Sequence, residues 1–305
     1  MFRLVLGRLL QVPLVLLGAS LVVFVLLSAS GDPAALLLPP EAPAEDIARM
    51  RERLGLDRPL HERYGLFLFD VVRGDFGMSF RARQPALEVV LQHLPATTEL
   101  ALAGLFVATA ISIPLGIMAA IRKDSAIDIT ATIAAVLGQS MPVFWLGLIL
   151  ILVFAVHLQW FPVSGRGEWT SLVLPAVALG WYMNALMTRL TRSAMLEVLS
   201  QPFIRTARAK GLAERKVVLR HAFGNALIPI LTIWSLQAGT MLTGTVVTET
   251  VFSWPGLGRA SIAAVLGRDY PVVLASIAVF TLIFVTLNLL VDLIYLAIDP
   301  RIRRR

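Results

Sequence analysis

His61, His93, His157 and His221 are the only imidazoles in this 305-residue chain, and there is no cysteine. No two of these histidines stand four apart, so no helix presents a zinc-binding pair. Without thiols there are neither disulfide staples nor thiolate metal sites. A nucleophile elbow of the form G-x-S-x-G is missing, since the run that begins Gly138-Gln139-Ser140 fails at its last position. No G-x-x-x-x-G-K-[ST] phosphate loop occurs, so the chain does not hold ATP in that way. The reading is a chain with no catalytic residue, no metal and no cofactor. If ATP drives it, another subunit brings the nucleotide site.

The remaining polar side chains lie inside apolar stretches, where they are costly and so informative. Gln237, Thr240, Thr243 and Thr245 crowd one such stretch. Two readings stand together. Thr240 and Gly244 form a small-xxx-small pair for tight helix packing, or the group lines a hydrated passage. Gln139 and Ser140 raise the same question at an interruption of another stretch, because a broken helix is tolerated where it lines a cavity or is buried in protein. Asn184, beside Met183, joins them as a pathway candidate. Asp292 is the one acid inside the last apolar stretch, and it reads as a structural charge paired with Arg189 or Arg192 rather than as a proton relay.

The long polar segment Glu197–Pro229 contains Arg205, Arg208, Lys210, Arg215, Lys216 and Arg220 against only Glu197 and Glu214. Ala207, Ala209, Leu212 and Ala213 favour helix, and Gly211 interrupts it as a glycine does at a helix C-terminus. Glu214 to Ala222 then reads as a second short helix. A helix–Gly–helix element therefore lies between two apolar runs long enough to cross a bilayer.

The elements that must position these residues are membrane spans. The chain is 57% hydrophobic and 15% charged, with mean hydropathy +0.77, whereas soluble domains are about 25% charged. About 20 apolar residues cross the hydrocarbon core. By that measure the spans are Leu9–Ser30, Leu100–Ile121, Ile129–His157 (interrupted at Gly138 and Pro142), Leu172–Leu190, Leu227–Val247 and Pro271–Leu296. The first run is longer than a signal-peptide core and is expected to stay as an uncleaved span. Between spans one and two, helices are expected from Pro43 to Leu54, from Pro59 to Val72 and from Pro85 to His93, with Gly55 and Gly74 as stops. The expected division is an N-terminal transmembrane helix (1–30), a helical extracytoplasmic insertion (31–96) and a five-helix core (97–305) containing a cytoplasmic segment over 197–225.

The net charge of +7 is read as topology and not as nucleic-acid binding, because the basic residues cluster at span ends. Arg3, Arg8, Arg122, Lys123, Arg189, Arg192, the basic segment and Arg301 to Arg305 fall on one side of a six-span chain. That side is cytoplasmic by the positive-inside rule. Both termini are then inside, and the 31–95 region and Gly165 are outside.

The run Thr206-Ala207-Arg208-Ala209-Lys210-Gly211-Leu212, followed by the segment from Glu214 to Pro229, resembles the cytoplasmic signature of ABC-importer permeases. In general form that signature reads Glu-Ala-Ala, three residues, Gly, nine residues, Ile-x-Leu-Pro. Here Arg205 and Thr206 replace Glu and Ala, and Gly224 stands where the proline would be. The sequence is closer to the dipeptide/oligopeptide/nickel permease branch. GDPAALLL, LGLDRPL, GDFGMSF, LPATTELAL, ETVFSWPGLGR, RDYPVV and NLLVDLIYLAIDPRIR resemble that branch in the same order, from Gly31 to Arg303.

The resemblance implies an all-α integral membrane protein of six transmembrane helices, with the type I ABC importer permease fold, an extra N-terminal helix and a helical extracytoplasmic insertion. It implies a bacterial or archaeal inner or plasma membrane location. It also implies a second homologous permease, two cytoplasmic ABC ATPase subunits, an extracytoplasmic substrate-binding protein and surrounding membrane lipid as partners, with no nucleic acid. The ATPase-coupling residues would be Arg205, Thr206, Ala207, Arg208, Ala209, Lys210, Gly211, Leu212 and Glu214. Ala207 and Ala209 would let the helix approach an ATPase closely. The expected substrate is a di- or oligopeptide; nickel or another small solute is the alternative within the branch. An ion-coupled homo-oligomeric carrier would need ionisable residues in several spans, and only Asp292 qualifies. The aromatics of the two outward segments, among them Tyr64, Phe67, Phe69, Phe76, Phe80, Phe252, Trp254 and Tyr270, either form small cores and interface anchors or a docking rim for the binding protein.

Overall fold

The computed structural model describes residues 2–29, 34, 38, 42–53 and 55–298, without side-chain detail at 2–12, 27, 29, 53, 240, 242–244 and 291–298. Its helices are α1 (Phe2–Ala29), α2 (Ala44–Arg53), α3 (Leu60–Val72), α4 (Ala86–Ile121), α5 (Ala126–Ser140), α6 (Val143–Leu150), α7 (Thr170–Leu199), α8 (Pro202–Ala209), α9 (Glu214–Lys216), α10 (Phe223–Val251), α11 (Leu257–Leu266) and α12 (Tyr270–Ile298). Two π-helical stretches, Ile151–His157 and Val217–Ala222, continue α6 and join α9 to α10. Among the described residues there is no strand, only a single bridge between Met78 and Pro85.

Four of these segments are long and apolar enough to cross a bilayer: Ala86–Ile121, Thr170–Leu199, Glu214–Gly239 and Tyr270–Leu290. The pair α5 and α6 makes a fifth, bent by 104° at its break. The bend exceeds the interruption that the sequence suggests. It follows from Met141, extended at ψ 123°, and Pro142, which caps α6; a residue before proline is pushed out of the helical region. The N-terminal α1 is a 28-residue helix.

Two expectations on helix boundaries change. The short helix of Pro85–His93 is not separate but the start of the 36-residue α4. Pro95 removes only one backbone donor, which a long apolar helix with packed neighbours tolerates. The second short helix after Gly211 is likewise not separate. It passes through the π-helical stretch directly into α10, so one helical rod runs from Glu214 to Val251.

The chain forms two compact units. The first comprises Met1–Pro95 and Gly256–Thr286. Its core gathers Phe24, Val90, Leu257, Tyr270, Val272 and Val273, with Tyr64, Phe67, Phe76 and Phe80 packed against them. Asp269, buried just before α12, accepts Ser79 Oγ at 2.5 Å and the backbone N–H groups of Phe80 and Arg81 at 3.1 and 3.3 Å. It thereby ties the Arg-Asp-Tyr-Pro stretch to the loop that follows Gly74 and Gly77, both with positive φ. Most of the outward aromatics of this unit are core residues; Phe69, 55% exposed under the Arg73 guanidinium, is the exception.

The second unit comprises Ala96–Pro255 and Leu287–Arg305. At its centre α7 packs on α10, α5 and α6. Glycines set how closely helices approach. A Cβ on Gly180 would lie 2.6 Å from Gly104 O, and one on Gly116 would lie 2.6 Å from the Thr191 side chain. In lipid, where apolar side chains gain nothing by leaving water, such close backbone packing is what holds helices together. Trp254 is buried and donates its indole N–H to Ala96 O at 2.8 Å, and buried Glu249 accepts Thr97 Oγ1 at 2.6 Å. Phe252 is buried as well, so the aromatics of this segment also form a core.

Candidate functional site

The basic segment is built from the end of α7 onward. Ser200 and Gln201 turn the chain, and Pro202 opens α8 at the position where its missing N–H costs nothing. Apolar residues at Ile204 and Ala207 lie on one face of α8 and are buried, packed into the same cluster as Val217, Val218, Met195 and Ala222. The rest of the helix surface is exposed and presents Phe203, Arg205, Thr206, Ala209 and Lys210. Ala207 therefore faces the chain's own core, unlike Ala209, and the surface open to a partner is headed by Phe203, which is 44% exposed. Sequence reasoning missed Phe203: it stands four residues before the buried Ala207, a spacing that puts the two near the same side of the helix, so no local pattern marks it as exposed.

The end of α8 is a left-handed turn. Gly211 has φ +72°. Its N–H bonds to Arg208 O at 2.9 Å, and the Leu212 N–H reaches back to Ala207 O at 3.4 Å. This is the paired closure of a Schellman motif, with the half-buried Leu212 as the accompanying apolar contact. Across the turn, Arg208 grips Glu214 with two bonds, Nε to Oε2 at 3.1 Å and Nη2 to Oε1 at 2.6 Å. The neighbouring carboxylate raises the already high pKa of Arg208 further. Arg208 is thus an internal staple. The exposed cations free of that bridge are Arg205, Lys210, Arg215, Lys216 and Arg220.

Next to this element, α7 is tied to α5. Arg192 forms a bidentate pair with buried Asp128, at 2.5 and 2.6 Å. Asp128 also accepts the Asp124 N–H, and Ser125 caps α5 by accepting the Asp128 N–H. Arg189 donates to Gln139 Oε1 at 2.7 Å. The two arginines proposed as partners of Asp292 are therefore engaged by Asp128 and Gln139, and the Asp292 side chain lies outside the described residues. Asp128 was legible as the closing residue of a Ser-x-x-Asp helix start, three after the Ser125 cap, but its distant partner was not.

The pathway candidates are carried on three helices, α5, α7 and α10. Gln139 is bound by Arg189, while the Ser140 hydroxyl turns back to Val136 O at 3.0 Å. Asn184 is buried and accepts Thr188 Oγ1 at 3.1 Å, and Thr245 is fully buried. Gln237 is half-buried; the side chains of Thr240 and Thr243 lie outside the described residues. Among the described residues no cluster of three metal-ligating side chains occurs.

The match with known proteins follows this architecture. Residues 112–304 fit the family described as binding-protein-dependent transport system inner membrane component, and residues 1–101 fit the companion N-terminal family. Over 304 residues the chain is 42% identical to the glutathione transport system permease protein GsiC of Salmonella choleraesuis, covering 99% of each chain. It is 41% identical to GsiC of Escherichia coli K12, again over 99% of both. Its fold is similar to that of the inward-facing MetNI methionine ABC transporter, with TM-score 0.60 and 17% identity over 69% of this chain and 96% of that one. An amino acid ABC transporter solved with histidines gives TM-score 0.51 and 18% identity over 68% and 93%. Helices, turn and likeness define a class first: the membrane-embedded permease of an ABC importer, with the type I fold. More particularly, the chain belongs to the binding-protein-dependent transport system inner membrane component family.

Proposed function

We propose that this permease imports small peptides or peptide-like solutes, forms half of the translocation pathway, and receives the ATPase stroke through α8 and its Gly211 turn. The observation that carries the reading is the full-length identity to permeases named for glutathione transport, glutathione being itself a small peptide. A second permease of similar type, two cytoplasmic ATPases and an extracytoplasmic binding protein complete the machine. The six spans expected from the sequence would supply half a pathway, as a two-fold assembly needs. The coupling residues are Arg205, Thr206, Ala207, Arg208, Ala209, Lys210, Gly211, Leu212 and Glu214. In this reading Phe203, Arg205, Thr206, Ala209 and Lys210 touch the ATPase, while Ala207, Arg208, Gly211, Leu212 and Glu214 hold the element rigid. Both termini face the cytoplasm.

Two measurements test this. ATP-dependent uptake of labelled glutathione and of a dipeptide is followed in vesicles containing the complete transporter. Uptake of neither, alongside uptake of nickel, would move the substrate to the alternative within the branch. Reporter fusions at Gly165 and at the C-terminus should report outside and inside respectively; an external C-terminus would overturn the orientation.

A further inference from the structure

In the first unit a cavity of about 400 Å³ opens between α1, α3, the loop at Asp75–Gly77 and the start of α12. Its walls are apolar and aromatic: Phe24, Leu66, Phe67, Phe76, Phe80 and Leu274. Its charged residues are balanced, Arg58 and Arg63 against Asp70 and Asp75. We propose that this cavity is a binding site for a zwitterionic phospholipid, the phosphate lying on Arg58 and Arg63, the ammonium toward Asp70 and Asp75, and an acyl chain along Phe24, Leu66 and Phe67.

The depth of α3 is the first argument. Tyr64 Oη donates to Leu17 O at 2.9 Å and lies 3.0 Å from Ser20 Oγ. Phe24 stacks on Phe67 at 5.9 Å and meets the Tyr64 ring at a tilt, 5.4 Å between centroids. Leu17, Ser20 and Phe24 lie on one face of α1, inside its apolar run. At 1.5 Å per residue, α3 meets about 10 Å of α1 there, within the apolar run. The rest of α1 is exposed there through Leu14, Val22 and Leu26, and α3 exposes Leu66, Phe69 and Val72 at spacings of three. A soluble protein rarely leaves such a surface bare, so the walls of the cavity continue onto a surface that lipid chains cover.

The charges are the second argument. The Arg63 guanidinium sits 5.5 Å from the centre of the Phe24 ring, which holds it at the boundary of apolar wall and opening. Asp75 is fixed by accepting the Gly77 N–H at 2.8 Å. Arg63 and Asp70 are seven residues apart, hence on the same face of α3 two turns distant. An anionic headgroup would be drawn to the arginines but repelled by both carboxylates, whereas a headgroup carrying phosphate and ammonium matches the charge of both pairs. A soluble zwitterion such as a dipeptide shares the charges but has no use for the apolar walls.

The test uses the full-length protein in detergent, stripped of endogenous lipid, with binding of added lipid read by native mass spectrometry. One phosphatidylethanolamine should bind, at least about tenfold tighter than phosphatidylglycerol, and a large excess of dialanine should not displace it. Arg58→Gln, at an exposed position, should weaken that binding about tenfold with unchanged thermal stability. Asp70→Asn should narrow the preference over phosphatidylglycerol instead. Equal binding of the two lipids, displacement by the dipeptide, or wild-type binding by the folded Arg58→Gln protein would each overturn the proposal.

Discussion

Gly211→Val changes a single turn and leaves every span intact. The cost can be worked out from the backbone. At φ +72° a Cβ on residue 211 would meet no atom within 4 Å, so no steric clash with neighbours contributes. What remains is the left-handed conformation itself, about 1–2 kcal/mol for an ordinary L-residue and more for a β-branched one. At about 1.4 kcal/mol per factor of ten, the closed turn loses roughly ten- to a hundredfold in population. Relaxing the strain breaks the bonds from Gly211 N to Arg208 O and from Leu212 N to Ala207 O, and releases the exposed face of α8 from its fixed angle. Membrane insertion should be normal. Transport should fall about tenfold or more, and substrate-stimulated ATP hydrolysis should fall with it or lose its dependence on substrate. Gly211→Asn is the control, because asparagine tolerates this conformation, and it should keep most of the activity. The assay is uptake and ATPase activity of the reconstituted transporter at matched expression. A well-inserted Gly211→Val protein with wild-type transport would refute the placement of the coupling element here.

Arg208→Glu should impair coupling by loosening the turn, and the swapped pair Arg208→Glu with Glu214→Arg should restore uptake. Both side chains are about half exposed, so the loss in thermal stability should stay within about 1 kcal/mol; a failed rescue would show that Arg208 acts on the partner instead. Asp128→Asn removes the buried partner of Arg192, whose side chain is 28% exposed, and should cost about 2–3 kcal/mol, below the figure for a fully buried pair because water reaches the arginine. Thermal denaturation in detergent reads it, and an unchanged midpoint would refute the tie between α5 and α7. Gly180→Leu places its Cβ within 2.6 Å of a backbone oxygen on the facing helix and should abolish stable accumulation of the protein; normal accumulation would refute the close crossing of α4 and α7.

The spans were legible because apolar runs of bilayer length have few other uses, and the α8 turn was legible because Gly211 follows a run of good helix formers. What was not legible depends on partners distant in sequence. Arg208 looked like one more exposed cation, and only folding brings Glu214 across the turn to it. Ala207 and Ala209 are alike as residues and differ only in which side of an eight-residue helix they occupy. Asp128 precedes Arg192 by 64 residues, so no local pattern could pair them, and Asp292 drew attention in its place. The 104° break was underestimated because a proline announces a bend but not its angle. The merging of the short Pro85–His93 helix into α4 is not legible locally, because Pro95 falls between the amphipathic start and the apolar run and the two read as separate segments.

The uninterrupted rod from Glu214 to Val251 has a mechanical consequence. At 1.5 Å per residue it is roughly 55 Å long, and it begins at the very turn that Arg208 and Gly211 hold. A loop between turn and span would absorb a push as slack. A rod delivers it, so a displacement of α8 reaches the far end with little backlash. It has two soft places, the wider Val217–Ala222 turn and Pro229, which removes one backbone hydrogen bond inside α10. Compliance is therefore concentrated in the first half of the rod, and the direction in which the far end swings is set there.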